Sequence, residues 1–360
     1  MTTPAHVPIQ RILERVNTMP GVQPRRIFPV LLPMWGVEIR AQFWDAQPYE
    51  VFDQYLSRVI GSAGLNEPGR LAAFFGVQPA LVVRALRFLE AVGHVRREGA
   101  MVALTELGRI SVAAGCRYVV KEDRQILYFD SFTSAPMPKA HYAGGEWLDE
   151  PVLRLSGTQF QPITALGRLS LSAVDDLAAR ADRERFNVPG SLTAIEAHEI
   201  HRAWLPAYVL ECAAGLLVFV KAIEGPDAYL AELLTPYLWE VLASEPTPDY
   251  AAVWRGWLAG RGFHGAAVRL MPNGVLRASL PATAFDKQIR WSQLGSFVTR
   301  DATFLQIWCE DAAVRRQAVL ARAAAMASAG RTRAPAEVER RLAELAGQLE
   351  VEVPSEDEIP

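Results

Sequence analysis

"GRLAAFFGVQPALVVRALRFLEAVGHVRREGAMVALTELGRIS", Gly69 to Ser111, decides how this chain is read. Leu71, Ala72 and Phe75 share one helical face, and Gly76 permits a tight turn after them. Gln78-Pro79 opens the next helix, with proline near the first position, where its missing N–H costs nothing. Val82, Leu86 and Leu89 then fall at i, i+4 and i+7, one buried face, until Gly93 ends the helix. "HVRREGAMVALT" is a β-hairpin around Glu98-Gly99. "TELGRIS" restarts a helix, with Thr105 placed to cap it.

Just upstream, "PYEVFDQYLSRVIGSAG" (Pro48 to Gly64) carries Val51, Phe52, Tyr55, Leu56, Val59 and Ile60 as one helical stripe, ended by Gly61 and Gly64. Helix, tight turn, helix, hairpin and then Leu104-Thr105 with Gly108 and Arg109 resembles the winged helix-turn-helix superfamily over about Tyr49 to Ala114. The resemblance implies a second helix that enters a DNA major groove. Its outward positions are then Gln78, Ala80, Leu81, Val83, Arg84 and Arg87. Gln78, Arg84 and Arg87 have the donors that base edges require. Arg70, Arg96 and Arg97 could hold phosphates. From Asn66 to Arg109 six arginines oppose four glutamates, a thin positive patch. The same face also carries Leu81, Val83 and Phe88. Exposed apolar groups of this kind suit a protein partner or self-association.

Composition bounds the alternatives. Half of the 360 residues are hydrophobic and the formal net charge is −3, so any nucleic-acid surface must be local. Cys116, Cys212 and Cys309 are far apart and odd in number, which excludes a zinc ribbon and a disulfide framework; free thiols in a reducing cytosol are expected. Met1 to Arg25 lacks a signal pattern but holds "IQRILERVNTM", with Ile9, Ile12, Leu13 and Val16 at helical spacing. The apolar run Ala203 to Ile223 approaches membrane-spanning length, yet Pro206, Glu211 and a central Ala-Ala-Gly interrupt it. It reads as two buried strands, Tyr208–Cys212 and Leu216–Ala222, turning near Gly215. No membrane partner is expected. The Ala/Arg-rich, lysine-poor composition suggests a bacterial, cytoplasmic protein.

Further along, Cys116 to Phe132 alternates around "KEDR" and reads as a strand pair with an exposed turn. Ser134 to Pro162 reads as a long loop and a boundary. Helices are expected at Leu171–Phe186, Asp227–Ala243 (broken at Pro236), Tyr250–Gly260, Ala312–Ala327 and Glu337–Glu350. "GAAVRLMPNGVLRASL" is a hairpin turning at Asn273-Gly274, and Gly295–Glu310 another strand pair. The fold class is α+β: an N-terminal arm (1–47), the winged-helix segment (48–116), a strand pair and linker (117–162), a mixed α/β domain (163–330), then a polar helix and acidic tail (331–360).

No motif assigns catalytic chemistry. A winged helix before a longer chain also resembles the small-molecule O-methyltransferases, but the Gly-rich turn after a strand that would bind their methyl donor is missing; "HYAGGEW" (141–147) has the glycines without the strand. His198, Glu199 and His201 of "EAHEIH" could share a helix face but lack the i, i+4 histidine spacing of a helical zinc site. Glu211 and Lys221 lie on the expected hairpin, yet the acid that a nuclease of the PD-(D/E)xK type places two residues before its lysine is Phe219. Asp130 with Ser131 and Thr133 reads as an Asx-type turn. No catalytic residue, metal or cofactor is assigned. The sequence reads as a non-enzymatic DNA-binding protein, a regulator or the DNA-contacting subunit of a defence or repair assembly. A docking adaptor and an enzyme with a divergent C-terminal domain are the alternatives.

Overall fold

A computed structural model describes residues 9–19, 21–155, 158–164, 167–243, 249–285, 288–300, 302–328 and 335–354. The elements in chain order are α1 (Ile9–Thr18), β1 (Pro24–Gln47), α2 (Val51–Ala63), α3 (Pro68–Phe75), α4 (Pro79–Ala91), β2 (Val95–Glu98), β3 (Met101–Leu104), α5 (Glu106–Ala114) and β4 (Arg117–Asp130). Then come β5 (Arg154–Leu155), β6 (Thr158–Gln159), β7 (Gln161–Pro162), α6 (Ala173–Ala179), β8 (Leu192–Cys212), β9 (Gly215–Val220), α7 (Ala228–Ala243) and α8 (Tyr250–Ala259). The remainder is β10 (Ala267–Leu270), β11 (Leu276–Ser279), β12 (Phe297–Arg300), β13 (Thr303–Trp308), α9 (Ala312–Ser328) and α10 (Pro335–Gln348). The class is α+β.

The chain divides into two compact units, each discontinuous in sequence. The first gathers Met1–Met34, Ala140–Gly167 and Arg202–Pro360; the second gathers Trp35–Lys139 and Arg168–His201. β1 and β8 are long enough to contribute to both.

In the first unit the strands run in the order β10-β11-β13-β1-β8-β9, with β12 on β13 and β7 on β1. β8 and β9 are a hairpin in which Cys212 faces Gly215 and Ala207 faces Val220. The turn falls where the central Ala-Ala-Gly predicts it. Two apolar clusters fill this unit. α1 packs Ile12, Leu13 and Val16 with Ile27, Leu31, Tyr208, Phe219 and Phe304. Trp254 and Trp308 centre the other, among Leu258, Leu280, Leu305 and Val319. Trp254 is fully enclosed, and its indole Nε1 donates to Thr303 Oγ1 at 2.9 Å, as a buried indole requires.

Four expectations are corrected. Cys116–Phe132 is not a strand pair: residues Arg117–Asp130 are one continuous strand. Its charges do not need a solvated turn, because Lys121 meets Asp45 at 2.7 Å and Glu122 meets Arg40 at 2.5 Å. α7 is not broken at Pro236. Leu230, Leu234, Leu238 and Leu242 recur every four residues and are all buried. Burial worth about 1.5–3 kcal/mol for each leucine outweighs the roughly 3 kcal/mol that an internal proline costs. The helix expected over Leu171–Phe186 ends at Ala179, and a 3-10 turn covers Arg183–Phe186. "EAHEIH" lies in β8 rather than on a helix. Among the described residues no single helix is long and apolar enough to cross a membrane.

Candidate functional site

The second unit builds its core from α2, α3, α4 and the β2–β3 hairpin. α4 buries Val82, Ala85, Leu86 and Leu89 against Leu56, Ile60, Leu71, Ala72, Val95, Val102 and Leu104. The positions predicted from helical spacing are therefore the ones enclosed. α3 and α4 each begin on a proline. The three residues between them, Gly76, Val77 and Gln78, turn the chain through 118°. Gly76 takes the left-handed conformation at φ +63°, and its N–H and that of Val77 close the end of α3 on the carbonyls of Ala73 and Ala72. This satisfies the carbonyls that a helix end leaves open.

β2 and β3 pair in register from Val95↔Leu104 to Glu98↔Met101. The Val102 N–H donates to the Asn66 carbonyl at 2.8 Å, which fixes the hairpin beside α3. Thr105 caps α5 as expected: its Oγ1 accepts from the Gly108 N–H at 3.1 Å. The Thr105 N–H also donates to the His94 carbonyl at 2.9 Å. Gly108 has a second role, since a Cβ there would collide with that same His94 carbonyl.

The outward face of α4 carries Gln78, Leu81, Arg84, Arg87 and Phe88, all exposed. Val83, expected outward, is only half-exposed. Phe88 is 40% exposed, and the Arg117 guanidinium lies 5.1 Å from its ring centroid. Part of its apolar surface is thus already covered by a cation.

The arginines divide into two groups. On the hairpin Arg96 meets Glu98 at 2.8 Å, and Arg97 meets Glu90 of α4 at 3.0 Å; on α5 Arg109 meets Glu106 at 2.5 Å. Arg58, Arg70, Arg84 and Arg87 are exposed and have no ion pair among the described residues. The unneutralised positive charge of this segment therefore sits on α2, α3 and α4 rather than on the hairpin. Exposed apolar groups share the segment: Val51, Tyr55, Phe74, Leu81 and Met101.

A polar cluster lies beneath, and sequence spacing does not signal it. His94 is fully buried; its Nε2 faces the Tyr118 carbonyl at 2.7 Å and its Nδ1 the Tyr49 hydroxyl at 3.2 Å. Ser111 Oγ accepts from the Tyr118 N–H at 3.1 Å. α2 turns Asp53 and Ser57 inward and leaves Val51 and Tyr55 in solvent, against the stripe expected of it. Burial holds the Asp53 carboxyl above its usual range, with Arg117 pulling the other way. It holds the His94 imidazole below its usual value.

The remaining candidates resolve as follows. His198 and His201 lie on β8 at odd spacing, hence on opposite faces of a regular strand. Among the described residues no group of three His, Cys, Asp or Glu could hold a metal. Glu211 is engaged by Arg26 at 2.5 Å. Asp130 is a turn organiser: its carboxylate accepts from the N–H groups of Phe132, Thr133 and Ala135. In "HYAGGEW", His141 Nε2 meets Asp227 Oδ2 at 2.5 Å with both residues buried, and Asp227 Oδ1 accepts from the Leu230 N–H at the start of α7. Cys212 and Cys309 are buried and Cys116 is half-buried. Burial pushes the Cys212 thiol up to about 12, which leaves it an inert packing group.

No family model, curated protein or solved structure matches this chain.

Proposed function

We propose that α3 and α4 form the helix-turn-helix of a winged helix and that the protein binds duplex DNA through α4, without catalysing a reaction. The observation that carries this reading is the geometry of the pair. A three-residue turn containing glycine and a 118° bend fall in the range that helix-turn-helix motifs use, about 90–120°. Gln78, Arg84 and Arg87 are free to reach base edges, and Arg70 to hold a phosphate. Arg96 and Arg97 of the wing are held by Glu98 and Glu90. Such exposed pairs are worth at most about 1 kcal/mol, so a phosphate can displace either carboxylate. The test is duplex binding across a salt series. Affinity should fall steeply with salt; Arg84→Ala with Arg87→Ala should abolish sequence-specific binding, and Arg70→Ala should reduce the log–log slope by about 1. No salt-sensitive binding at low ionic strength would end the proposal.

One observation favours a second reading, a docking module. Leu81 is 46% exposed on the same helix face, and Phe74 is 60% exposed near the turn. Leu81→Glu should then disperse an oligomer or a co-purified complex, read by light scattering. An unchanged mass counts against docking.

A further inference from the structure

The second and third residues of β1 are arginines, and both reach one carboxylate. Arg26 Nε donates to Glu211 Oε2 at 2.5 Å, and Arg25 Nη1 stands 3.8 Å from Glu211 Oε1. Each guanidinium is fixed by more than this pair. Arg25 Nε donates to the Asn273 carbonyl at 2.8 Å, and its Nη2 donates to the same oxygen. A Cβ at Gly274 would collide with the Arg25 guanidinium. The Asn273-Gly274 turn therefore needs glycine twice, once for its φ of +80° and once to seat the arginine. The Tyr250 hydroxyl faces Arg26. Together with Asp249, Ala251, Leu270 and Leu276 these residues frame a cleft of about 440 Å³, within the size range of small-molecule sites.

Two guanidiniums and two carboxylates line the cleft, and they are not equivalent. Two guanidiniums share Glu211. The other acid, Asp249, is spent on its own helix: Oδ1 accepts from the Ala252 N–H at 3.0 Å, and Oδ2 lies 3.9 Å from Arg255. The two guanidiniums are thus set against one enclosed carboxylate, with Asp249 turned to the start of α8 and Ala251, Leu270 and Leu276 as the apolar wall. Leu270 at the rim is 70% exposed.

We propose that this cleft binds a small organic oxyanion, its phosphate or carboxylate on Arg25, Arg26 and the Tyr250 hydroxyl and its apolar body on Ala251, Leu270 and Leu276. Guanidinium forks match both anion types, and the cations here are held in place before any ligand arrives, which lowers the cost of binding. The groups involved are separate from those of the DNA proposal, so either can fail alone.

Calorimetric titration of the full chain tests it, with phenyl phosphate, benzoate, inorganic phosphate and the neutral benzyl alcohol as probes. Phenyl phosphate or benzoate should bind saturably, more tightly than inorganic phosphate, and benzyl alcohol should not bind. The probe that binds tells phosphate from carboxylate. Arg25→Gln should weaken binding about tenfold, as loss of one charge-assisted contact does, while Arg340→Gln, on α10 and outside the cleft, should leave it unchanged. Should Arg25→Gln not fold, the exposed Leu270→Ser replaces it: it should weaken the aromatic anions and leave inorganic phosphate unaffected. Absence of saturable binding by both aromatic anions, or binding indifferent to these substitutions, overturns the proposal and leaves Glu211 as a brace between strands.

Discussion

The imidazole Nε2 of His94 lies 2.7 Å from the backbone carbonyl of Tyr118, so that nitrogen is the donor, and Nδ1 faces the Tyr49 hydroxyl. Burial lowers its pKa below the usual 6.5, and Arg117 lowers it further. As pH falls below the unfolded value, the unfolded chain takes up a proton that the native ring refuses. Stability from this group is complete above about pH 6.5 and declines from there toward the lower native value. Asp53 acts in the opposite sense. Its raised pKa makes its ionised form a cost, relieved as pH falls through the native value. Urea midpoints at about pH 8 and pH 5.5 should show a drop in the wild type that His94→Gln flattens. The variant should be about 1–3 kcal/mol less stable at the higher pH. Equal slopes in the two proteins would refute the assignment.

Gly108→Ala places a methyl group against the His94 carbonyl, which is backbone and cannot rotate away. A loss of about 1–3 kcal/mol is expected, in line with overpacking. Thr105→Ala, which removes the cap of α5, should cost about 1 kcal/mol. Chemical denaturation of both variants checks the order, and a neutral Gly108→Ala would contradict the close approach.

Glu90 holds Arg97 against α4. If the wing contributes to phosphate binding, Glu90→Gln frees that cation, so DNA affinity should rise severalfold and the salt slope should steepen by about 1. If α4 alone makes contact, the affinity should change little and the slope not at all. The same salt series that tests the main proposal decides this.

Pro236 interrupts the hydrogen-bond ladder of a helix otherwise secured by its leucine row. Replacing it with alanine restores one backbone bond at the cost of a looser unfolded chain. Pro236→Ala should stabilise by about 1–2 kcal/mol, while Leu234→Ala should destabilise by about 2–5 kcal/mol. A destabilised Pro236→Ala would show that the proline has a packing role.

The segment from α3 to α5 was legible because its signals are local. Proline starts, glycine stops, a cap three residues from its N–H and an i, i+4, i+7 row can all be read without knowing what lies opposite. α2 was read in part, for the converse reason. Leu56 and Ile60 are buried with Phe52 and Val59 against them, but Val51 and Tyr55 are exposed, because beside Asp53 and Ser57 the facing surface is polar, made by His94, Ser111 and Arg117 from later in the chain. Helical periodicity cannot see a partner that arrives more than forty residues later. "KEDR" failed in the same way: four charges in a row suggest a turn until Asp45 and Arg40 are found beside them. The pairing of Arg96 and Arg97 with glutamates, which shifts the free charge onto the helices, was likewise invisible to a net count. So was the arginine cleft, whose parts come from β1, β8, α8 and a hairpin turn.

β1 carries a further consequence, in time rather than space. Arg26 pairs with Thr303, so this strand leaves the ribosome well ahead of a partner that lies far downstream in the chain. At roughly 5–20 residues per second that wait is on the order of tens of seconds. Throughout it the Arg26 end of this strand has an unfilled edge, the feature that invites pairing with other chains, even after β4 and β7 have paired with β1. Slowed translation downstream of β1 should therefore lower the soluble yield of this protein before it changes the stability of the molecules that finish folding.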